Sequence, residues 1–367
     1  MLPEPEPEAL AASDALLQRI RGELAASGNW IGFARYMELA LYEPGLGYYA
    51  GGSAKLGAPG DFATAPEMGT LYARTLARQV AELLQPGESI LEFGAGSGTL
   101  AETLIAELSP ESYLILETSA ELRARQQARL GARARWLERL PEKFRGVMLA
   151  NEVADAMPVQ AVAWRAGGIL ERGVSEVAGR LAWAERAAAG ELLAAARKLQ
   201  VPVPYESEIG LVARAWMQLV AARLERGAIL VVDYGFPARE FYHPQRAGGT
   251  LMCHYRHRAH GDPFFHPGLQ DITAHVDFSA LARAAREGGL EVLGYANQAQ
   301  FLVNCGITEV LGREDVADAA RYAPQAAEAH KLLSPAEMGE IFKALAVGRG
   351  VERPLLGFVQ GDRTHTL

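Results

Sequence analysis

Cysteine and lysine are both scarce in this chain, and each shortage narrows the class of protein it can belong to. Of its 367 residues only two are cysteine, Cys253 and Cys305, which is too few for a disulfide framework and lacks the spacing of a metal site. Only five residues are lysine, and the 44 acidic residues outnumber the 36 basic ones, so that the net charge is −8. Because nucleic-acid binding requires a basic surface, we expect no nucleic-acid partner.

Long hydrophobic runs are also missing. No apolar stretch approaches the roughly 20 residues of a membrane-spanning helix, and we predict no membrane insertion. The acidic, proline-rich start MLPEPEPEAL is unlike a secretory signal or a transit peptide. Since we also expect both cysteines to be reduced, we predict a cytoplasmic protein. Apolar residues make up 49% of the chain, which is enough to build a sizeable core.

After residue 88 the sequence alternates between short apolar runs and helix-length segments. Near-continuous apolar runs are typical of parallel strands that are covered on both faces. The predicted strands are SILEFGAG, SYLILE, ARARWL, GVMLANE, AILVVDYG, LEVLGYA and PLLGFVQG. The last of them ends the chain with no following helix, and we expect it to pair antiparallel at the sheet edge. The pattern predicts an α/β fold.

The domain organisation follows from two departures from this alternation. Residues 1–88 read as helices, near 9–26, 31–41 and 69–84, around a glycine-rich loop. We therefore predict a mostly helical extension at residues 1–88 and a core at 89–367. Two inserts interrupt that core, at residues 159–226, which open with a strand meander, and at 235–288, which begin as a long loop.

Three glycines alternate in the stretch LEFGAGSGTL, directly after the first predicted strand: Gly94, Gly96 and Gly98. In an open parallel sheet, ligands bind at the carboxyl ends of the strands. The spacing differs from the Gly-x-Gly-x-x-Gly dinucleotide fingerprint. Glu92 would repel a pyrophosphate but suits a cationic ligand. The alternative is a plain tight turn with close helix packing.

Glu117 provides a second indication of a nucleoside. It ends the next strand, about 20 residues beyond the glycines, where a carboxylate accepts hydrogen bonds from ribose hydroxyls. A ribose anchor, a carboxylate near a cation and no phosphate seat together describe S-adenosylmethionine (SAM). The glycine spacing disfavours a nicotinamide-dependent dehydrogenase.

Five motifs in order resemble a known family. The stretch EFGAGSGTL resembles motif I of class I SAM-dependent methyltransferases. Together with GDFATAPEMG, ANEVADAMPV, VVDYGF and GDPFFHPGLQDITAHVDF, it makes the chain similar to the MidA family. The resemblance implies a Rossmann-like, seven-stranded, mostly parallel sheet with a helical N-terminal extension and cap inserts. It also implies protein arginine N-methylation, since mitochondrial members dimethylate one arginine of a respiratory complex I core subunit. The implied partner is a protein that presents an arginine, such as that subunit.

The resemblance also implies which residues surround the cofactor. Phe93 and Ala95 belong to the glycine motif, and Asn151 follows the fourth strand. A loop that resembles a lid over the cofactor contains Asp61, Thr64, Pro66 and Glu67. Ordinary turn chemistry is the alternative for that loop.

The stretch NEVAD, at the end of the fourth strand, contains the best catalytic candidate. A guanidinium stays protonated at neutral pH, and a carboxylate can bind its fork, localise its charge and accept its proton. Glu152 is our first candidate for this role. If a helix begins here, Asp155 shares a face with Glu152; alternatively, Asn151 or Asp155 merely caps that helix.

Further candidates lie later in the chain. Asp233 ends the fifth strand and either faces the substrate channel, which we favour, or caps a turn. The resemblance marks Asp271, His275 and Asp277 as residues of the substrate cleft. The histidines around them lack the spacing of a zinc site, and we predict no bound metal.

Three tyrosines and two rival functions complete the predictions. Tyr42, Tyr48 and Tyr49 either wall the target arginine by cation–π contact or simply pack, and we favour packing. The first rival function is a methyltransferase for a small-molecule or RNA nucleophile. The acidic net charge disfavours RNA, and the carboxylate-rich cleft favours a cationic nitrogen. The second rival is an assembly factor that binds SAM without turnover.

Overall fold

The structure, a computed structural model, describes residues 2–51, 64–315 and 317–367. The chain forms two compact units, each assembled from three separate segments. The first unit comprises Met1–Phe62, Asp155–Arg214 and Ala238–Val276, and the second comprises Ala63–Ala154, Ala215–Pro237 and Asp277–Leu367. The domain boundaries that we predict from the sequence stay predictions.

Seven strands follow one another across the main sheet of the second unit. In chain order they are β1 Ser89–Phe93, β2 Tyr113–Leu116, β3 Arg135–Leu137, β4 Phe144–Asn151, β5 Leu224–Phe236, β6 Glu291–Asn297 and β7 Phe342–Arg349. Their order across the sheet is β6-β7-β5-β4-β1-β2-β3. Strands β1 to β5 are parallel, and β7 runs antiparallel to both of its neighbours. This confirms the predicted α/β, class I methyltransferase sheet.

Helices accompany these strands, and their apolar residues form the core of the second unit. They are Ala65–Met68, Leu71–Leu83, Thr99–Leu108, Ala120–Leu130, Phe278–Glu287, Gln298–Asn304, Ile307–Leu311 and Ala319–Leu333, with 3-10 turns at Gly131–Arg133, Leu356–Phe358 and Thr364–Thr366. Val147 of β4 and Ile229 of β5 are completely buried. Central parallel strands need apolar side chains on both faces, which explains their unbroken apolar sequences.

The prediction for the last strand is wrong. Within 354–361 the chain forms only the 3-10 turn at Leu356–Phe358. The antiparallel strand is β7, which lies between β5 and β6 and not at an edge. Its residues from Phe342 to Gly348 are all buried. The stretch FKALAVG is rich in alanine, which has a weak strand preference, and it contains the charged Lys343; periodicity therefore did not reveal the strand.

The first unit is built on antiparallel strands. One sheet contains Ile31–Gly32, Gln160–Arg165, Gly168–Val177, Arg180–Ala187 and Tyr205–Ile209, and a smaller one contains Met252–Tyr255, Arg258–His260 and Asp271–Thr273. The predicted meander is confirmed, since its three strands pair antiparallel in sequence order. The long His-rich loop is only partly a loop, because the smaller sheet forms within it.

The helices of the first unit pack through apolar residues. They are Pro7–Ala26, Phe33–Tyr42, Gly190–Ala196 and Ala238–Phe241, with a 3-10 turn at Pro244–Arg246. Leu16, Ile20 and Leu24 recur every four residues along the first helix and are all buried, as an amphipathic helix requires. Two elements span the border of the units, the helix Leu211–Arg223 and the short strand Val276–Asp277.

Among the described residues, no helix combines the length and the apolar character that crossing a membrane requires.

Candidate active site

The glycine loop after β1 needs glycine at all three alternating positions. Gly94, Gly96 and Gly98 have φ angles of 58°, 55° and 82°, in the left-handed region that costs other residues roughly 1–2 kcal/mol each. The amide of Gly94 donates to the carbonyl of Leu116 on β2 (3.0 Å), which holds the loop at the strand ends. The helix Thr99–Leu108 then begins directly after Gly98. The loop therefore places backbone atoms that no side chain covers at the edge of the sheet where ligands bind.

Phe93 and Ala95 anchor this loop through buried side chains. Both are buried, and the Phe93 ring packs edge-on against Trp216 at 5.3 Å between ring centroids. A contact with the cofactor would therefore come from their backbone. Their role as cofactor-binding residues stays a prediction.

Glu92 is a buried carboxyl group on β1. It is 3% exposed and accepts a hydrogen bond from the Tyr113 hydroxyl (2.7 Å). Burial raises the pKa of Glu92 to about 7, the bond from Tyr113 opposes that rise, and the negative Glu117 adds to it. A cation placed near this carboxyl would favour its ionised form.

Glu117, just beyond β2, is held by two neighbours, one of which also binds the glycine loop. One of its carboxylate oxygens accepts the Ser119 amide (2.9 Å) and the other accepts Gln126 Nε2 (2.9 Å). The same nitrogen of Gln126 donates to the carbonyl of Gly96 (2.9 Å). Burial raises the pKa of Glu117, and the bonds from Ser119 and Gln126 only partly oppose this. Sequence reasoning missed Gln126, whose role depends on the fold.

These groups fit the nucleoside and sulfonium of SAM. A carboxylate has about four acceptor positions, so that Glu117 is suited to additional donors such as ribose hydroxyls, which would also offset the cost of its burial. Glu92 lies on the neighbouring strand, and the sulfonium beside it would favour its negative form. The three left-handed glycines offer backbone without side chains.

A chain of hydrogen bonds positions the carboxylate at the end of β4. The hydroxyl of Tyr72 donates to Asn151 Oδ1 (2.5 Å), and Asn151 Nδ2 donates to Glu152 Oε1 (3.2 Å). The backbone amide of Ala65 donates to the same Glu152 oxygen (3.3 Å). Burial raises the pKa of Tyr72, and the negative Glu152 adds to this, which keeps the phenol a neutral donor. Sequence reasoning missed Tyr72, which no motif marked.

One structural prediction is wrong at the turn after Asn151. No helix begins there, so the predicted helical face shared by Glu152 and Asp155 does not exist, and neither Asn151 nor Asp155 caps a helix. Glu152 instead has a φ of 52°, while its amide donates to the Val232 carbonyl of β5 (2.9 Å). Asp155 belongs to the first unit and Glu152 to the second.

Asp233 lies on β5 beside this turn. It is completely buried, and one of its carboxylate oxygens accepts the amides of Val153 (3.2 Å) and Ala154 (2.9 Å). The other oxygen accepts the amide of Tyr234 (2.9 Å). These bonds are those of a turn-capping residue, and a catalytic role for Asp233 stays a prediction.

The predicted lid loop is described from residue 64 onward, and Asp61 lies outside the described residues. Thr64 precedes the short helix Ala65–Met68, in which Pro66 is buried. Glu67 on this helix accepts a hydrogen bond from the Ser97 hydroxyl of the glycine loop (2.5 Å). The segment therefore contacts the glycine loop as well as Glu152.

Asp155, Asp277 and His275 each form a hydrogen bond that involves the backbone, within the unit to which they belong. In the first unit, Asp155 is buried and its carbonyl accepts the Ala274 amide (3.0 Å), while the amide of His275 donates to the Thr250 hydroxyl (3.1 Å). In the second unit, Asp277 caps the helix Phe278–Glu287 by accepting the Ala280 amide (3.0 Å). Their predicted roles in binding the substrate stay predictions.

The tyrosines of the first unit pack against one another. Tyr42 and Tyr49 stack at 5.6 Å, and Tyr48 meets Tyr49 edge-on at 5.1 Å. The Tyr49 hydroxyl donates to Asp271 (3.0 Å), and that of Tyr42 donates to the Ala156 carbonyl (2.9 Å). Packing, the role that we favour, accounts for these contacts.

Across residues 2–51, 64–315 and 317–367, no three or more His, Cys, Asp or Glu side chains are grouped so that they could hold a metal ion.

The fold and this site define a class I SAM-dependent methyltransferase. Residues 71–296 match the S-adenosyl-L-methionine-dependent methyltransferase family Methyltransf_28, and the chain belongs to this family. The chain is similar to a Burkholderia thailandensis protein whose crystal structure contains bound S-adenosyl-homocysteine. The two sequences are 50% identical, the match covers 100% of both chains, and the structures superpose with a TM-score of 0.96. The protein is thus a methyltransferase that uses SAM, as predicted.

Two curated relatives carry a more specific name. The mitochondrial protein arginine methyltransferase NDUFAF7 homolog of Drosophila melanogaster is 27% identical, over 97% of this chain and 92% of the relative. Mitochondrial protein arginine methyltransferase NDUFAF7 of Danio rerio is 28% identical, over 91% of this chain and 86% of the relative. These matches confirm the resemblance to the MidA family.

The same relatives correct one prediction. We predicted a cytoplasmic protein from the acidic start and the reduced cysteines. The curated relatives are named as mitochondrial proteins, which contradicts the cytoplasmic prediction. Composition is a weak guide to location, because location is set by targeting signals and not by net charge or cysteine content.

Proposed function

We propose that this protein transfers a methyl group from SAM to an arginine side chain of another protein. The observation that carries the proposal is Glu152, a carboxylate at the carboxyl end of β4 in the unit that contains the glycine loop. A Cβ added to Gly94 would lie only 3.4 Å from Val153, so that the turn of Glu152 adjoins the loop. The names of the curated relatives support the choice of arginine.

The chemistry of the acceptor explains why a carboxylate belongs here. A guanidinium is protonated at neutral pH and is a poor nucleophile. A bidentate bond to Glu152 would hold two of its nitrogens, draw the positive charge toward them and orient the third. The bonds from Asn151 and Ala65 hold the carboxylate oriented before the acceptor arrives, and such preorganisation lowers the cost of alignment.

SAM, when bound, supplies the methyl group on a positively charged sulfur. We propose that Glu117 binds its ribose and that the backbone of residues 93–98 adjoins it, with Glu92 providing the opposite charge. Asn151, Thr64 and Pro66 are proposed to line the same pocket. The segment Ala65–Met68 would help to exclude water, since Glu67 ties it to the glycine loop.

The residues of the first unit are proposed to contact the protein substrate. Asp155 and His275 are our candidates, with Asp271 beside them. If they bind the acceptor protein, alanine at any of them should raise KM for that protein and leave the affinity for SAM unchanged.

The proposed target is a core subunit of respiratory complex I, as the resemblance to the MidA family implies. The test is mass spectrometry of complex I core subunits from cells with and without this protein. We expect one arginine to lose its methyl groups when the protein is absent. An unchanged arginine mass would remove this target.

In vitro transfer separates the two rival functions. Methylation of an RNA or a small molecule, with none of a protein arginine, would favour the first. SAM binding without transfer to any acceptor would favour the assembly factor.

A further inference from the structure

The turn from Glu152 to Ala154 has an unusual backbone for its sequence. Glu152 has a φ of 52°, a conformation that residues other than glycine, asparagine and aspartate seldom adopt. Such a conformation persists only where the surroundings enforce it. The candidate acceptor-binding side chain therefore starts from a backbone that something else must hold.

Asp233 is the group that holds this turn. Its buried carboxylate accepts the two amides that follow Glu152, those of Val153 and Ala154, through one oxygen. Its second oxygen accepts the Tyr234 amide of its own strand. The carboxylate thus joins β5 to the turn at the two residues next to the strained one.

The same turn also adjoins the glycine loop. Val153 Cγ2 lies 3.4 Å from the position of a Cβ on Gly94. A shift of the turn would therefore move Glu152 and the side chain that packs beside the loop at the same time.

We propose that Asp233 is a positioning residue that fixes the strained turn and, through it, the Glu152 carboxylate. The inference rests on the proposed role of Glu152 at the acceptor. It differs from a direct role of Asp233 in the substrate channel, because Asp233 acts on the reaction only through Glu152.

The variant Asp233→Asn tests this inference with little change in volume. An amide has one oxygen where the carboxylate has two. The substituted side chain can therefore satisfy either the Val153 and Ala154 amides or the Tyr234 amide, but not both. We expect kcat for arginine methylation to fall by about 100-fold, a loss that misplacing a catalytic group by about 1 Å can cause, with a much smaller loss of affinity for SAM.

A double-mutant cycle distinguishes positioning from direct catalysis. If Asp233 acts through Glu152, Asp233→Asn should lower kcat little further in a protein that already has Glu152→Gln. The same loss in both backgrounds would mean that Asp233 acts independently, and it would overturn the inference.

Amide hydrogen exchange tests the same inference without any acceptor. In Asp233→Asn, or in Asp233→Ser if the asparagine oxygen still faces these amides, the amides of Val153 and Ala154 should exchange faster than in the unmodified protein, and unchanged exchange in both variants would overturn the inference. If the unmodified protein fails to methylate arginine, the proposed function fails, while the exchange result still decides whether Asp233 holds the turn. Asp233→Ser, which keeps one acceptor oxygen, is measured in the same way if Asp233→Asn does not fold.

Glu88→Gln is the matched control. Glu88 is also a buried carboxylate that accepts a backbone amide, that of Gln85 (3.1 Å), and it pairs with Arg226 (2.6 Å). It precedes β1 at the opposite, amino end of the strands. We expect Glu88→Gln to lower stability but to leave kcat and the exchange of Val153 and Ala154 unchanged.

Discussion

At the scale of single residues, Glu92 shows how burial can set the chemistry of a carboxyl group. Its pKa in the folded protein, about 7, lies above its ordinary value of 4.5. Folding therefore stabilises the protonated form, and this contribution is fully present below pH 4.5 and is lost as the pH rises through 7. The expected loss is at most roughly 3–4 kcal/mol, at roughly 1.4 kcal/mol per pKa unit.

The measurement is urea unfolding of the SAM-free protein between about pH 5 and 8, the range over which this group titrates. The free energy of unfolding should fall with pH more steeply in the unmodified protein than in Glu92→Gln, which has no group to titrate at this position. Parallel pH profiles for the two proteins would contradict the raised pKa.

Tyr72 provides the second prediction at this scale. Tyr72→Phe removes the hydrogen bond to Asn151 and loosens the amide that orients Glu152. A hydrogen bond of this kind contributes about 0.5–1.5 kcal/mol, and we expect kcat to fall by the corresponding factor, roughly 2- to 10-fold, with a smaller loss of affinity for SAM because Asn151 is also proposed to line its pocket. Tyr205→Phe is the control, since Tyr205 is equally buried and its hydroxyl donates to the His243 carbonyl. Equal kcat losses in both variants would contradict the role of Tyr72.

Predictions for single residues were correct where the backbone conformation or the end of a strand requires the residue of the motif. Gly94, Gly96 and Gly98 are all left-handed, and Glu117 stands just after its strand as expected. Tyr72 and Gln126 were missed because each acquires its partners only in the folded chain. No local pattern records that Gln126 reaches both Glu117 and Gly96.

At the scale of elements, replacing a glycine of the glycine loop should lower stability through the backbone alone. Gly98 has a φ of 82°, and a Cβ there would meet no atom closer than 3.5 Å. The cost of Gly98→Ala therefore comes from its backbone conformation, about 1–2 kcal/mol, and we expect weaker SAM binding with it. Gly22→Ala, in the helix Pro7–Ala26 with open space around it, should instead stabilise the protein by up to about 1 kcal/mol.

Chemical denaturation and calorimetry of the two glycine variants check this prediction. Equal stability of Gly98→Ala and the unmodified protein, with equal SAM affinity, would mean that the loop adopts another conformation.

The elements that the sequence predicted well are those with strong apolar periodicity. Strands β1, β2, β4, β5 and β6 have continuous apolar runs, and the helix after Gly98 begins where expected. Strand β7 was missed because Lys343 interrupts its apolar run and its alanines have a weak strand preference. The absence of a helix after Asn151 was unforeseen because Asp233, which lies far along the chain on another strand, captures the amides of that turn.

At the scale of the whole molecule, the sequence predicted most of the segments that form strands and helices but could not show how they assemble into two units. Each unit combines three separate parts of the chain, and such contacts depend on long-range packing. The predicted cytoplasmic location was also wrong, since the curated relatives are named as mitochondrial proteins.

Ligand-induced stabilisation is a prediction for the whole molecule. A ligand that binds only the folded state raises stability by about 2.7 kcal/mol at roughly 100 times its Kd. S-adenosyl-homocysteine should therefore raise Tm, and NAD should leave it unchanged, because the glycine loop is flanked by the carboxylates Glu92 and Glu117, which repel a pyrophosphate. A rise in Tm with NAD alone would contradict this interpretation of the glycine loop.

The most direct test of arginine methylation is transfer of a deuterated methyl group from labelled SAM to a purified complex I core subunit, followed by mass spectrometry. We expect labelled arginine with the unmodified protein and only a small residual fraction of that label with Glu152→Gln, which should still bind SAM with unchanged affinity. Label on another residue type, or equal labelling by Glu152→Gln, would contradict the central claim. Lost SAM affinity in that variant would make Glu152 a cofactor ligand and not the group that binds the acceptor.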